Sequence, residues 1–218
     1  MRPALAVAFD LDGTLVDSRL DIAAACNHVL VGLGRSPLDP AHVATFVGNG
    51  VRALLAGALS LPGDAPELGR LVEEFVAYYA AHPVERTTWM PGAREAIAAL
   101  ADRPLALVTN KARTVTTAIL DALHARGLFA AVYAGGDGPL KPSAEPIVAV
   151  ARALAVDAAS LWVVGDGEQD VLAARAAGAV AVAVLGGFGS EERLRAARPD
   201  AVLAHLAELA PLVRQRAS

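Results

Sequence analysis

Two aspartates one residue apart, Asp10 and Asp12, stand in the run Phe9-Asp10-Leu11-Asp12-Gly13-Thr14. Carboxylates at such close spacing can bind a hard cation, attack an electrophile or move a proton. Ala4 to Phe9 is short and continuously apolar, the pattern of a strand buried on both faces, and Gly13 gives the following turn its freedom in φ. The two acids therefore belong at the carboxyl edge of a sheet, where open α/β sheets bind ligands. Alternate residues on a strand point the same way, so the two side chains share one ligand unless the turn re-aims the second. A solvated turn would account for one Asp, but less well for two acids with Gly and Thr. A calcium-binding loop needs its Gly at the sixth position, whereas Gly13 is at the fourth.

Three more polar clusters follow apolar runs. Thr109-Asn110-Lys111 succeeds Leu105 to Val108, Lys141-Pro142 succeeds Ala131 to Ala134 and a Gly-rich loop, and Gly165-Asp166-Gly167-Glu168-Gln169-Asp170 succeeds Leu161 to Val164. Singly each has an ordinary reading: Thr109 as a helix cap, Lys141 as a loop charge, Asp166 and Asp170 as helix-start acids. Together they collect at the same sheet edge and suit phosphoryl transfer through an aspartyl-phosphate. A carboxylate approaching a phosphate dianion meets a repulsion of roughly 4 kcal/mol per charge pair at about 4 Å with an effective dielectric near 20, so cations must be built in. Asp10 and Asp166 are hard oxygen ligands suited to Mg²⁺, and no His or Cys cluster offers a zinc site. Lys141 adds a second positive charge, while the Thr109 hydroxyl and the backbone N–H groups around Asn110 can donate to phosphate oxygens. Asp12 is then free to protonate the leaving alkoxide and to take a proton from the attacking water.

The elements that position these residues fall into two kinds. After Ser18, apolar residues recur at helical steps through Leu20, Ala23, Ala24, Leu30 and Val31. Asp39-Pro40 starts another helix and Asp64-Ala65-Pro66 nearly repeats the signal before Leu68 to Ala81. From Pro91-Gly92 onward strand and helix alternate, with strands over Leu105 to Thr109, Ala131 to Ala134, Leu161 to Gly165 and Ala179 to Leu185. Such alternation predicts a doubly wound α/β fold with a mostly parallel sheet. The first strand must join that sheet to satisfy its backbone, so the all-helical block is an insertion: a cap domain over residues 19–88 and a catalytic core over 1–18 and 89–218.

Composition bounds the function classes. The chain has 218 residues, 55% of them hydrophobic, and 19 Lys plus Arg against 23 Asp plus Glu. A net charge of −4 offers no basic field for nucleic acid or membrane. Arg193, Arg195 and Arg198 read as a solvated helix face because no aromatic residues are interleaved with them. No apolar run is long enough for a membrane span and the N-terminus lacks a signal-peptide layout, so a cytoplasmic protein is expected, monomeric or homodimeric. The single Cys26 reads as a buried structural thiol.

In motif order the chain resembles the haloacid dehalogenase-like (HAD) superfamily, and within it bacterial phosphoglycolate phosphatases. The resemblance covers essentially the whole chain and rests on Asp10 to Thr14, Thr109 with Asn110, Lys141 with Pro142, and Asp166 with Asp170. It implies that Asp10 is the nucleophile and Asp12 the general acid and base. It also implies a Mg²⁺ ion held by the Asp10 side chain, the Asp12 carbonyl and Asp166, with Asp170 assisting directly or through Lys141 or water. Asp12 favours phosphate esters over carbon–halogen bonds, for which relatives lack this second acid. The narrower likeness rests on Thr109-Asn110-Lys111 and on Val47-Gly48-Asn49-Gly50, which would make Gly48, Asn49 and Gly50 a substrate loop and Arg52 a partner for a substrate carboxylate. Gly167, the short approach to Lys141 and Ser143-Ala144-Glu145-Pro146 depart from the group's pattern and leave the substrate open. The expected activity is hydrolysis of a small phosphorylated metabolite, 2-phosphoglycolate first. The alternatives are a sugar phosphomutase of the β-phosphoglucomutase type, a phosphatase for pyrophosphate or a sugar phosphate, and a non-enzymatic phospho-switch.

Overall fold

The computed structural model describes residues 5–215; Ala4, the expected first residue of the opening strand, lies outside them. In chain order the elements are β1 (Ala6–Phe9), β2 (Val16–Asp17), α1 (Arg19–Gly32), α2 (Pro40–Ala44), α3 (Val51–Leu59), α4 (Leu68–Ala81) and β3 (Thr88–Trp89). There follow α5 (Ala93–Ala99), β4 (Leu105–Ala112), α6 (Arg113–Ala122), β5 (Ala131–Gly135), α7 (Glu145–Ala153), β6 (Leu161–Gly165), α8 (Glu168–Ala176), β7 (Val180–Val184), α9 (Glu191–Ala196), β8 (Ala201–Leu203) and α10 (Leu209–Gln215).

Six strands form one sheet in the order β5-β4-β1-β6-β7-β8, and every neighbouring pair is parallel. Both faces of the sheet are covered, which explains the unbroken apolar strands. Val7 and Phe9 join Leu107, Trp162 and Val164 in one cluster, while Ala6 and Ala8 join Val108, Leu161 and Val163 in the other, the alternation a strand imposes. From β1 the chain builds β4 and β5 on one side and then crosses to β6, β7 and β8 on the other. The strand order therefore reverses at β1, and a crevice opens beyond its carboxyl end, where Asp10 begins.

Residues 19–87 contain four α-helices and no strand, as the helical periodicity predicts. They bury an apolar cluster of their own, including Ile22, Val29, Leu55, Leu59, Leu68, Leu71 and Phe75, which also takes in Val115 and Ile119 of α6. Asp39 caps α2 by accepting from the Ala41 N–H at 2.8 Å. Asp64 does not do the same for α4, whose preceding residue Glu67 already has helical backbone angles and makes no side-chain cap bond. Chain exit and return pair as a two-stranded antiparallel ribbon, Val16 with Trp89 and Asp17 with Thr88, so Thr88 belongs to the ribbon. Beside it the buried Asp21 carboxylate accepts from the Arg86 and Thr87 N–H groups and from the Thr87 hydroxyl at 2.6 Å.

Two features depart from the sequence reading. β4 runs on to Ala112 with an irregularity after Val108, so Thr109, Asn110 and Lys111 lie within the strand's end and not beyond it. The alternation also continues past Leu185 through α9, β8 and α10; β8 is a three-residue edge strand, too short to give a periodic signal. Among the described residues no helix is long and apolar enough to cross a membrane.

Candidate active site

The carboxyl ends of β1, β4 and β6 deliver their polar residues to one place. Asp10, Thr109, Lys141, Asp166 and Asp170 are all buried, which for charged groups demands pairing. Lys141 supplies it: its ammonium donates to Asp10 Oδ1 at 2.7 Å, to Asp170 Oδ1 at 2.5 Å and to the Val108 carbonyl at 2.7 Å. Those three acceptors use all three N–H donors of the ammonium. Burial works against the Lys141 charge, but Asp10 and Asp170 outweigh it and hold the lysine above its usual range.

Asp166 is fixed as tightly. Its Oδ1 accepts from the Thr14 hydroxyl at 2.8 Å, and its Oδ2 accepts from the N–H groups of Phe188 at 2.7 Å and Gly189 at 3.2 Å. A Cβ on Gly13, at φ +84°, would fall 2.3 Å from Asp166 Oδ2. Glycine is thus required there both by conformation and by the approach of the carboxylate. Asp170 accepts from the Gly167 N–H at 3.0 Å. Ligand atoms of Asp10, Asp166 and Asp170 all lie within 4.8 Å of one another. Burial first, then the charges of Asp170, Asp166 and Asp12, push Asp10 up to about 8 despite Lys141. Burial and the Asp170 charge push Asp166 to about 6 against its three hydrogen bonds. Three carboxylates in so small a volume, with one ammonium among them, fit a hard divalent cation bound through oxygen.

The turn does re-aim Asp12. Its carboxylate leaves the cluster and accepts from the Ser18 hydroxyl at 2.5 Å and from the Lys111 ammonium at 2.8 and 2.9 Å. Both Asp10 and Asp12 line a cavity of about 490 Å³ between the sheet edge and the helical block. Gly48, Asn49, Gly50, Thr109, Asn110, Lys111 and Asp166 line it as well, so the expected substrate loop does reach the cavity. Asn110 clasps that loop to the core: its Nδ2 donates to the carbonyls of Gly48 and Lys141, each at 2.8 Å, and its Oδ1 accepts from the Lys141 N–H. Its side-chain amide is fully engaged, leaving the backbone for any phosphate. Arg52 is not brought to the cavity; it is exposed, its guanidinium donating to the Gly63 carbonyl at 3.4 Å. Arg52 is the second residue of α3, and the helical rotation turns it to the outer side of the block while Val51 and Leu54 line the cavity, a direction that proximity to Gly50 in sequence does not give.

Sequence reasoning assigned no role to Thr14, Ser18, Lys111, Tyr79 or the Phe188-Gly189 turn. Thr14 and Lys111 stand inside the quoted motifs and their polar character was a usable signal; nothing in the sequence marks Tyr79 or Phe188, and only the fold brings them to the site. Arg193, read as part of a solvated face, pairs with Glu168 at the cavity rim.

Residues 7–184 match the family model described as haloacid dehalogenase-like hydrolase. A phosphoglycolate phosphatase of Chromobacterium violaceum is 37% identical over 216 residues, 96% of each chain. One of Neisseria meningitidis is 36% identical over 94% of this chain and 91% of its own. Among solved structures, a haloacid dehalogenase-like family hydrolase of Streptococcus pneumoniae superposes with a TM-score of 0.84 at 25% identity, covering 96% of this chain and 98% of its own.

Proposed function

The chain belongs to the haloacid dehalogenase-like hydrolase family, and from that premise we propose that it is a Mg²⁺-dependent phosphomonoesterase that hydrolyses 2-phosphoglycolate. The observation that carries the chemistry is the pair of acids with separate partners, Asp10 against Lys141 and Asp12 beside it in the same cavity. The substrate is supported by the names of the relatives at 36–37% identity.

Asp10, Asp166 and Asp170 would hold the metal with the Asp12 carbonyl, and its charge would offset the dianionic phosphate brought against buried carboxylates. The Asp10 carboxylate attacks phosphorus; an Asp10–phosphorus bond forms, the bond from phosphorus to the leaving oxygen breaks, and Asp12 donates the proton that oxygen needs. Asp12, now a carboxylate, takes a proton from water, whose oxygen displaces Asp10 from phosphorus and restores both residues. The Thr109 hydroxyl donates to a phosphoryl oxygen, and Lys141, whose N–H groups are engaged by Asp10, Asp170 and Val108, contributes its positive charge from behind Asp10. Residues 19–88 act as a cap domain on a core formed by 1–18 and 89–218, closing the cavity over the substrate and limiting water during attack.

Phosphate release from 2-phosphoglycolate, glucose 1-phosphate and pyrophosphate with Mg²⁺ tests the reading. We expect the highest kcat/KM for 2-phosphoglycolate, and an isomerised sugar phosphate with little free phosphate would establish the phosphomutase instead. Asp10→Asn is expected to lose at least about 10⁴-fold in kcat; retained turnover would remove the covalent step.

A further inference from the structure

Two groups at the cap-facing end of the cavity take no part in the steps above. Lys111 is buried, with a side chain only 7% exposed, and its ammonium lies 4.5 Å from the centroid of the Tyr79 ring. Tyr79 comes from α4 of the helical block, is 1% exposed, and its hydroxyl has no hydrogen-bond partner among the described residues. A hydroxyl buried beside a ligand cavity is ordinarily met by water or by the ligand.

Charge around the cavity narrows what that ligand carries. Among the described residues lining the cavity there are two lysines or arginines, Lys111 and Arg193. Arg193 is exposed and tied to Glu168 at the rim, and Lys141 has no N–H left to offer. Ile22, Leu54, Phe75 and Tyr79, which belong to one apolar cluster, form part of the wall, so an anionic group bound there needs a cation and finds one. Lys111 donates to Asp12, the residue placed at the leaving oxygen. A carboxylate one carbon from that oxygen therefore falls within reach of the same ammonium.

We propose that Lys111 is the specificity-determining residue for the leaving group: it binds an anionic substituent one carbon from the scissile oxygen, while the Tyr79 ring supports the ammonium and its hydroxyl donates to the same substituent. On binding, the ammonium exchanges part of its contact with Asp12 for the substrate, so the buried charge stays paired throughout. The inference rests on the phosphatase reading and deepens it by assigning the recognition of the substrate's second charge.

The test compares kcat/KM for 2-phosphoglycolate, 2-hydroxyethyl phosphate and O-phosphoethanolamine, esters of similar size whose substituents are anionic, neutral and cationic. The wild type is expected to prefer them in that order. Lys111→Met is expected to reduce the anionic-to-neutral ratio about 10- to 100-fold, the loss of a charge-assisted hydrogen bond. Lys111→Arg should restore part of the ratio, and Tyr79→Phe should reduce it about threefold. The ratio cancels any effect of these variants on Asp12 that is common to all esters. A Lys111→Met enzyme that keeps the wild-type ratio overturns the proposal, and so does a wild type that accepts O-phosphoethanolamine as well as 2-phosphoglycolate, a result needing no variant. Should 2-phosphoglycerate or phospholactate, whose carboxylates also sit one carbon from the scissile oxygen, be the better substrate and lose its advantage in Lys111→Met, the subsite stands and the phosphoglycolate reading falls. Preference for 2-phosphoglycolate in both wild type and Lys111→Met gives the reverse.

Discussion

The two buried lysines of the cavity are set in contrasting surroundings. Lys141, beneath the floor, is held by the carboxylate of Asp10 and the carbonyl of Val108 at the sheet's edge and by the carboxylate of Asp170 in the first turn of α8. Lys111, nearer the helical block, is held by one carboxylate and an aromatic face. The floor is polar and its charges are paired with one another; the wall above it mixes apolar residues such as Ile22, Leu54 and Phe75 with polar ones such as Thr45, Asn49 and Gln169. A site divided in this way separates the reaction, which needs the same charges for every ester, from the choice of ester, which needs only a few contacts that differ between substrates.

The sharpest break of that contrast is Lys141→Met. It leaves Asp10 and Asp170 buried without their shared cation, for which we expect about 3–5 kcal/mol of destabilisation. Turnover should fall by about 10³-fold or more. The loss should be equal for 2-phosphoglycolate and 2-hydroxyethyl phosphate, in contrast to Lys111→Met; a substrate-dependent loss would erase the division between floor and wall. Thermal unfolding and phosphate release measure the two effects.

Asp21 tests the junction between the regions. Its carboxylate collects donors from Arg86 and Thr87 at the point where the chain returns from the helical block. Asp21→Ala leaves those N–H groups without their acceptor and should cost about 2–3 kcal/mol by denaturant unfolding. The ratio of kcat/KM values between esters should stay unchanged, because no ligand contact is removed. A changed ratio would mean that the junction also sets how the wall meets the substrate.

Protonation sharpens the account of the floor. Burial and neighbouring carboxylates push Asp10 and Asp166 up to about 8 and about 6, against the ordinary aspartate value of 3.8. Their folded forms bind protons more tightly than the unfolded chain does, so their contribution to stability is present at low pH and is lost as pH rises through the folded values. Lys141, held above its usual range, keeps its charge across this interval. Without divalent cation the contribution of these two groups to Tm should therefore decline from about pH 4 to about pH 8. Mg²⁺ competes with those protons, so the rise in Tm that it produces should grow over the same interval, accompanied by proton release in calorimetry. A Mg²⁺ increment independent of pH would disconnect the metal from these two carboxylates.

What could be read from the sequence follows the same division. Asp10, Asp166 and Asp170 were legible because strand ends are marked by apolar runs and because a buried charge needs partners, which narrows their arrangement. Asp12 was legible as an acid, but not its separation from Asp10, which depends on the turn at Gly13. The four helices of residues 19–87 were legible from periodicity and from Asp39-Pro40. Their facing was not: Tyr79 looks like any buried aromatic, and its position over Lys111 arises from packing α4 against α6 and the end of β4. The irregular end of β4 was illegible for a related reason, since it is accommodated by Gly135 of the neighbouring strand, whose Cβ would meet the Asn110 carbonyl at 2.9 Å.

Arg52 gives the smallest expected effect and the most direct check on the wall. Sequence proximity to the Gly48-Asn49-Gly50 loop made it a candidate partner for a substrate carboxylate, but its guanidinium reaches Gly63 on the exposed side of the block. A single long hydrogen bond to an exposed carbonyl contributes little, so Arg52→Ala should change stability by less than about 0.5 kcal/mol. Its kcat/KM for 2-phosphoglycolate should stay within about twofold of the wild type, because Lys111 and not Arg52 faces the cavity. A rise in KM of about tenfold confined to anionic esters would show instead that the helical block turns Arg52 inward when substrate binds. The recognition of the second charge would then belong to the moving block, and the wall would share the work now assigned to a lysine on the core.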